Sequence, residues 1–159
     1  MIEYKHLSIA SDEPLLAETE GYIQEILDLS HKWVNENTST AYQQSQREDL
    51  LGSEAIIAIS QGDIVGYVYG SSRDLKEKTS YNEVGETVFE IEEIYVLPEY
   101  RHQGIGAKLF ALMEETVSGR VDLLALIAVS REYPLLLKFY VDELGMTFQH
   151  ALLTKRFKR

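Results

Sequence analysis

Apolar residues change their spacing several times along the chain, and each change predicts an element. Ile2 to about Ala10 alternates loosely and reads as a first strand. From Glu13 to about Asn37, Leu15, Leu16, Ile23, Ile26, Leu27 and Val34 recur at helical spacing, with Asp12 and Pro14 at a suitable start. The polar stretch 38–50 predicts a short second helix or a loop. Ala55–Ser60 and Ile64–Gly70 are β-branched runs joined by Gln61-Gly62-Asp63, which predicts a hairpin. A charged loop, Ser71 to about Gly85, leads to a long strand over Thr87–Val96, ended by Pro98. Gly104–Ser118 reads as an amphipathic helix that buries Leu109, Phe110, Leu112, Met113 and Val117. Val121–Val129 is almost wholly apolar, as a central strand covered on both faces would be. Pro134 suits the first turn of a helix to about Glu143, Gly145 ends it, and Met146 to Phe157 reads as one or two closing strands.

This order, an antiparallel hairpin followed by strand–helix–strand–helix–strand, predicts an α+β or α/β domain around one sheet. Its 159 residues suit a single domain over residues 1–159, with no linker or repeat to divide it. The chain has no cysteine, which excludes disulfides, thiol nucleophiles and cysteine-ligated metals. Histidines 6, 31, 102 and 150 show no helical pairing and no H-E-x-x-H, so no metal site is expected. The longest apolar run, Leu123 to Val129, is too short to span a membrane, and the start lacks the features of a secretory signal. A soluble, cytoplasmic protein is the expectation. A formal charge of −11 repels phosphate backbones and anionic lipid and draws in cations, so a cationic substrate is expected and nucleic acid and membrane are not.

The sharpest local signal is Arg101-His102-Gln103-Gly104-Ile105-Gly106-Ala107-Lys108-Leu109, between a long strand and a helix. Two glycines one residue apart let the backbone turn tightly and approach a ligand. The helix behind them presents unpaired N–H groups and the positive end of its dipole, which together bind phosphate. The plainer reading is a turn into a helix. Leu109 stands where a dinucleotide fingerprint needs its third glycine, and no P-loop or G-x-S-x-G occurs.

With the preceding strand included, Ile94-Tyr95-Val96-Leu97-Pro98-Glu99-Tyr100-Arg101-His102-Gln103-Gly104-Ile105-Gly106 resembles the hallmark [RQ]-x-x-G-x-[GA] of the GNAT superfamily of acyl-CoA-dependent N-acetyltransferases. The order of elements from the hairpin onward agrees with it. The resemblance implies an α+β, α/β/α-layered fold with a mixed, splayed central sheet and about four helices. It implies acetyl-CoA as co-substrate, its pyrophosphate held by N–H groups of Gln103, Gly104, Ile105, Gly106, Ala107 and Lys108. It implies pantetheine amides paired with the backbone of Ile94 and Val96, either side of Tyr95, in a gap between strands. Arg101, followed by His102, and Lys108 would add charge near the phosphates; Lys108 reads equally as a solvated helix residue.

Acetyl transfer to an amine poses a proton problem. With a pKa near ~10.4, only about one alkylammonium in 2,500 is a free amine at pH 7, a deficit of roughly 4–5 kcal/mol of barrier. The strand segment Phe89-Glu90-Ile91-Glu92-Glu93-Ile94 carries three carboxylates, and alternation puts Glu90 and Glu92 on one face and Glu93 on the other unless a bulge intervenes. The resemblance implies that Glu92 is the base, directly or through water, with burial or clustering raising its pKa; the carboxylates also read as a solvated strand face. It implies a tyrosine on the helix after the apolar strand that protects the leaving thiolate. Tyr140 follows Phe139 as the family pattern asks, yet stands five residues before Gly145 where four is usual. Either the helix gains one residue after Tyr140, or Tyr140 is rotated by roughly 100°. Trp33 and Tyr42 fall in the segment that shapes the acceptor pocket in such folds, and Tyr133 is given no role.

The expected function is acetyl transfer from acetyl-CoA to a primary amine (a small amine, a polyamine, or a peptide or protein amine) by direct attack in a ternary complex. One alternative is a non-catalytic acyl-CoA-binding module of the same fold, which the tyrosine spacing favours. Another is a nucleotide-binding or purely structural domain whose glycines only shape a turn. A homodimer is a further possibility.

Overall fold

The computed structural model describes residues 1–36 and 43–158. Tyr42 lies outside the described residues. Five strands, β1 (Glu3–Ser8), β2 (Glu54–Ser60), β3 (Asp63–Asp74), β4 (Thr87–Val96) and β5 (Leu123–Leu126), form one sheet in the order β1-β2-β3-β4-β5. The first four pair antiparallel and β5 joins β4 in parallel. The helices are α1 (Ala17–Val34), α2 (Arg47–Leu50), α3 (Ile105–Val117) and α4 (Tyr133–Leu137), and α4 continues into a π-helical turn, Lys138–Glu143. The fold is the expected mixed, open α+β sheet with about four helices.

The sheet divides two cores. On one face α1 lays Ile23, Ile26 and Leu29 against Tyr67, Tyr69 and Tyr95. On the other α3 lays Leu109, Phe110 and Met113 against Val68, Phe89 and Ile91. The hairpin turns at Gln61 and Gly62, both with positive φ (54° and 94°), the two-residue geometry whose twist suits paired strands.

Two expectations need correction at the C-terminal side. The apolar run Val121–Val129 gives only a four-residue strand, at the edge of the described sheet rather than at its centre, because the chain leaves β4 after Leu126. Ile127 is accordingly 79% exposed. The closing strands expected over Met146–Phe157 do not form: 147–158 is exposed, without regular pairing. Its alternation breaks at Leu152-Leu153, and the edge it would extend is only four residues long.

Candidate active site

The site begins with a fault in the β3–β4 ladder. Tyr69 faces Glu93 and Gly70 faces Ile91, so Glu92 is the extra residue of a bulge in β4. Such a bulge shifts the strand's phase by one. Ile91 packs on the α3 side, whereas Glu93 and Tyr95 turn to the α1 side. The alternation expected from sequence therefore fails at Glu92, and Glu93 joins the face it was expected to oppose. Gly70 permits this approach, since a Cβ there would collide with the carbonyl of Glu90.

The phase shift also turns the main chain. Before the bulge, Thr87 O points toward β5 and accepts from Asp122 N–H at 2.8 Å. After it, Leu97 N–H donates to Val65 O at 2.9 Å, so the odd-numbered residues of β4 bond to β3. The N–H and C=O groups of Ile94 and Val96 must then point away from β3, on the side where β5 lay. There the parallel pairing has stopped at Ile91 and Leu126. What remains is a splayed cleft of about 260 Å³, walled by Glu92–Val96 and by Leu126–Ser130, with Leu136 and Tyr140 at one side.

At one end of the cleft stands the N-terminus of α3. Gly104 (φ 81°) and His102 (φ 61°) turn the chain into the helix, and a Cβ at Gly104 would meet no protein atom within 4 Å. Gly106 lies over Val96 and Phe139. Ile105, Gly106 and Ala107 occupy the first helical positions, where N–H groups have no intrahelical acceptor. The N–H of Lys108 donates to Gly104 O at 3.0 Å, so only its side chain is left for a ligand. Arg101 departs from expectation more clearly. Its Nε donates to Val96 O at 2.8 Å, its guanidinium pairs with Glu36 at 2.8 and 3.0 Å, and it lies over the ring of Tyr95. Those acceptors hold the guanidinium at the cleft wall, in a clasp between the turn after α1 and the end of β4. Trp33 lines the same cleft, its ring centroid 6.3 Å from that of Tyr95.

At the other end are the ionisable groups. Glu92 borders both this cleft and a second cavity of about 650 Å³ whose lining includes Ser45, Gln46, Asp49 and Tyr69. Partial burial raises its carboxyl above the ordinary range, and the charges of Glu90, Asp49 and Glu93 add to this against the opposing Arg73. Tyr140 is buried and lines the cleft, and burial alone pushes its phenol well up. Its spacing resolves into the first of the two options. Leu144 N–H reaches back five residues to Phe139 O, at 3.0 Å, so the helix takes in one extra residue after Tyr140. Met146 N–H then bonds to Tyr140 O, and Gly145 (φ 73°) ends the helix.

The sequence profile of the Acetyltransferase (GNAT) family matches residues 22–146. The chain belongs to this family. No curated protein matches it by sequence. Solved structures share the GNAT fold at low identity. An acetyltransferase from Trypanosoma brucei is 19% identical with a TM-score of 0.64, covering 99% of this chain and 100% of its own. A ribosomal-protein-alanine N-acetyltransferase from Brucella melitensis biovar Abortus gives 19% and 0.62 over 99% and 100%. The aminoglycoside acetyltransferase AAC(6')-Iy, in complex with a bisubstrate analogue of CoA, gives 16% and 0.68 over 100% and 99%. As a GNAT domain the chain is an acetyltransferase. Among the described residues no helix is long and apolar enough to cross a membrane, and no cluster of three or more His, Asp or Glu could hold a metal.

Sequence reasoning missed the partners of the site. Ser30, Ser45, Tyr67 and Tyr69 lie around Glu93, and Glu36 holds Arg101. Their only signal was the tyrosines at 67 and 69, which alternation places on one face of a strand.

Proposed function

We propose that this GNAT domain transfers the acetyl group of acetyl-CoA to a primary amine, by direct attack while both substrates are bound. The observation that carries this reading is the cleft whose wall is main chain at Ile94 and Val96, closed by the α3 N-terminus at one end and by Glu92 and Tyr140 at the other. The residues present fit the co-substrate. Pantetheine amides can pair with the N–H and C=O of Ile94 and with Val96 N–H, while Val96 C=O already accepts from Arg101. The loop from Gln103 to Ala107 offers N–H groups and a helix dipole to the pyrophosphate, with no side chain at Gly104 in the way.

Glu92 draws the ammonium to the junction of the two cavities and takes its proton, directly or through water. The freed nitrogen lone pair attacks the thioester carbonyl, whose oxygen is polarised by main-chain N–H of the splayed strand. The carbon–sulfur bond then breaks with its electron pair going to sulfur, which takes a proton from Tyr140, and the second proton shed by the nitrogen as the amide forms returns to Tyr140 through water. The acceptor is a small amine, a polyamine or a peptide amine, and the AAC(6')-Iy likeness makes an amino sugar a sensible member of the first panel.

The test is calorimetric titration with acetyl-CoA, with ATP and NAD as controls, followed by thiol release over an amine panel. Selective, saturable acetyl-CoA binding with amine-dependent thiol release is expected. No binding at high micromolar ligand would overturn the assignment. The non-catalytic reading drew on the displaced tyrosine, and the π turn accounts for that displacement by local geometry. A cytoplasmic location and a homodimer belong to the same proposal, the latter read by analytical ultracentrifugation.

A further inference from the structure

Behind Glu92 lies a buried carboxylate that the chemistry above leaves without a role. Glu93 is 1% exposed and accepts hydrogen bonds from Ser30 Oγ (3.0 Å), Ser45 Oγ and Tyr67 OH. The three donors come from α1, from the segment before α2, and from β3. The orientation of this shell follows from its outer contacts. Ser30 Oγ accepts the N–H of Ser45 at 2.9 Å and so keeps its own proton for Glu93. Ser45 Oγ donates to Glu93, so Tyr69 OH, which also meets Ser45 Oγ, is the donor in that pair. Every proton in the cluster points inward. Those hydrogen bonds favour the carboxylate anion and oppose the burial that raises the Glu93 carboxyl above the ordinary range. Among the described residues no Lys, Arg or His forms an ion pair with Glu93.

We propose that Glu93 is a positioning residue: held ionised under the bulge by Ser30, Ser45 and Tyr67, it sets a fixed negative charge behind Glu92 and so makes Glu92 the stronger proton acceptor. This rests on reading Glu92 as the base. The charged groups around Glu92 are Glu90 and Glu93 of β4, Asp49 of α2 and Arg73 of β3. Glu90 and Asp49 repel the Glu92 anion as well, but they differ from Glu93 in kind. Glu90 is half-buried and already paired with Arg73 at 3.1 Å, and Asp49 is exposed and caps the N–H of Gln46 at 2.7 Å. Salt and water screen both. Glu93 is enclosed and fixed by three elements, so its effect on Glu92 persists when exposed charges are screened. The bulge makes this possible, because regular alternation would put the two carboxylates on opposite faces.

The experiment is the pH profile of kcat/KM at about 0.5 M salt, where the Debye length is only a few ångströms. Glu93→Gln should move the midpoint of the acid limb to lower pH, with acetyl-CoA affinity unchanged, and Glu93→Asp should restore it. Glu90→Gln should leave the limb in place at that salt. A limb unmoved by Glu93→Gln in a folded variant overturns the proposal. If that variant does not fold, carbon-13 titration of the glutamate carboxyls in the unaltered protein decides instead: Glu93 ionised at pH 7 is expected, and a protonated Glu93 there overturns it. The underlying reading fails separately, if Glu92→Gln leaves the acid limb intact.

Discussion

At the scale of single residues, the site separates roles that the sequence places side by side. Glu92 is the residue at the junction of the two cavities, and its replacement by glutamine should lower kcat by about 100-fold or more. Calorimetry should find acetyl-CoA affinity intact, because the cleft wall beside it is main chain. The raised carboxyl fixes the sign of the pH dependence. Glu92 must be ionised to take a proton, so activity should fall as pH drops through a value above the ordinary glutamate range. The role proposed for Tyr140 needs the opposite protonation state. Burial keeps its phenol protonated across neutral pH, so Tyr140→Phe should cost about tenfold to a hundredfold in kcat. Unaltered enzyme should show no loss from tyrosine ionisation below about pH 10. A Tyr140→Phe variant with full turnover would leave thiolate protection to solvent.

At the scale of elements, two local irregularities frame these residues: a bulge that sets Glu92 and Glu93, and a π turn that absorbs the extra residue after Tyr140. The β4 bulge depends on Gly70, and Gly70→Ala should destabilise the fold by about 3 kcal/mol, read as a lowered denaturation midpoint. The π turn is the second. Its extra residue follows Tyr140, so deletion of the exposed Asp142 should return the helix to regular winding while leaving the tyrosine in place. Activity within about threefold of the unaltered protein is expected from thiol release; loss of turnover would mean that the turn itself aims Tyr140. These irregularities mark the limit of what was legible. Thr87–Val96 and Ile105–Val117 are readable from alternation and helical spacing because strand and helix are periodic. A bulge interrupts the period without altering composition, so the side on which Glu93 falls cannot be read from Glu90-Ile91-Glu92-Glu93. The Gly145 offset is read equally as an extra helical residue after Tyr140 or as a rotated Tyr140, and no local pattern chooses between them. The partners Ser30, Ser45 and Tyr67 lie 63, 48 and 26 residues from Glu93, and no local pattern connects them.

At the scale of the molecule, charge and topology act together. A net charge of −11 surrounds a junction lined by Glu92 and Asp49, so encounter with a cationic acceptor should be electrostatically steered. Raising ionic strength from about 0.01 M to 0.5 M should lower kcat/KM for such an acceptor severalfold and leave kcat unchanged. A salt-independent kcat/KM would point to a neutral acceptor. The two ends of the cleft also differ in material. Backbone groups of Ile94, Val96 and the turn into α3 face the side proposed for the donor, whereas Glu92, Asp49, Ser45 and Tyr69 line the larger cavity. Mutation rewrites side chains far more readily than it moves a main chain. Changes at the remaining side chains of the larger cavity, such as Gln43, Gln44 and Gln46, can therefore redirect the proposed transfer toward new amines while the donor half stays serviceable, and a laboratory selection for altered acceptor preference should concentrate its substitutions there.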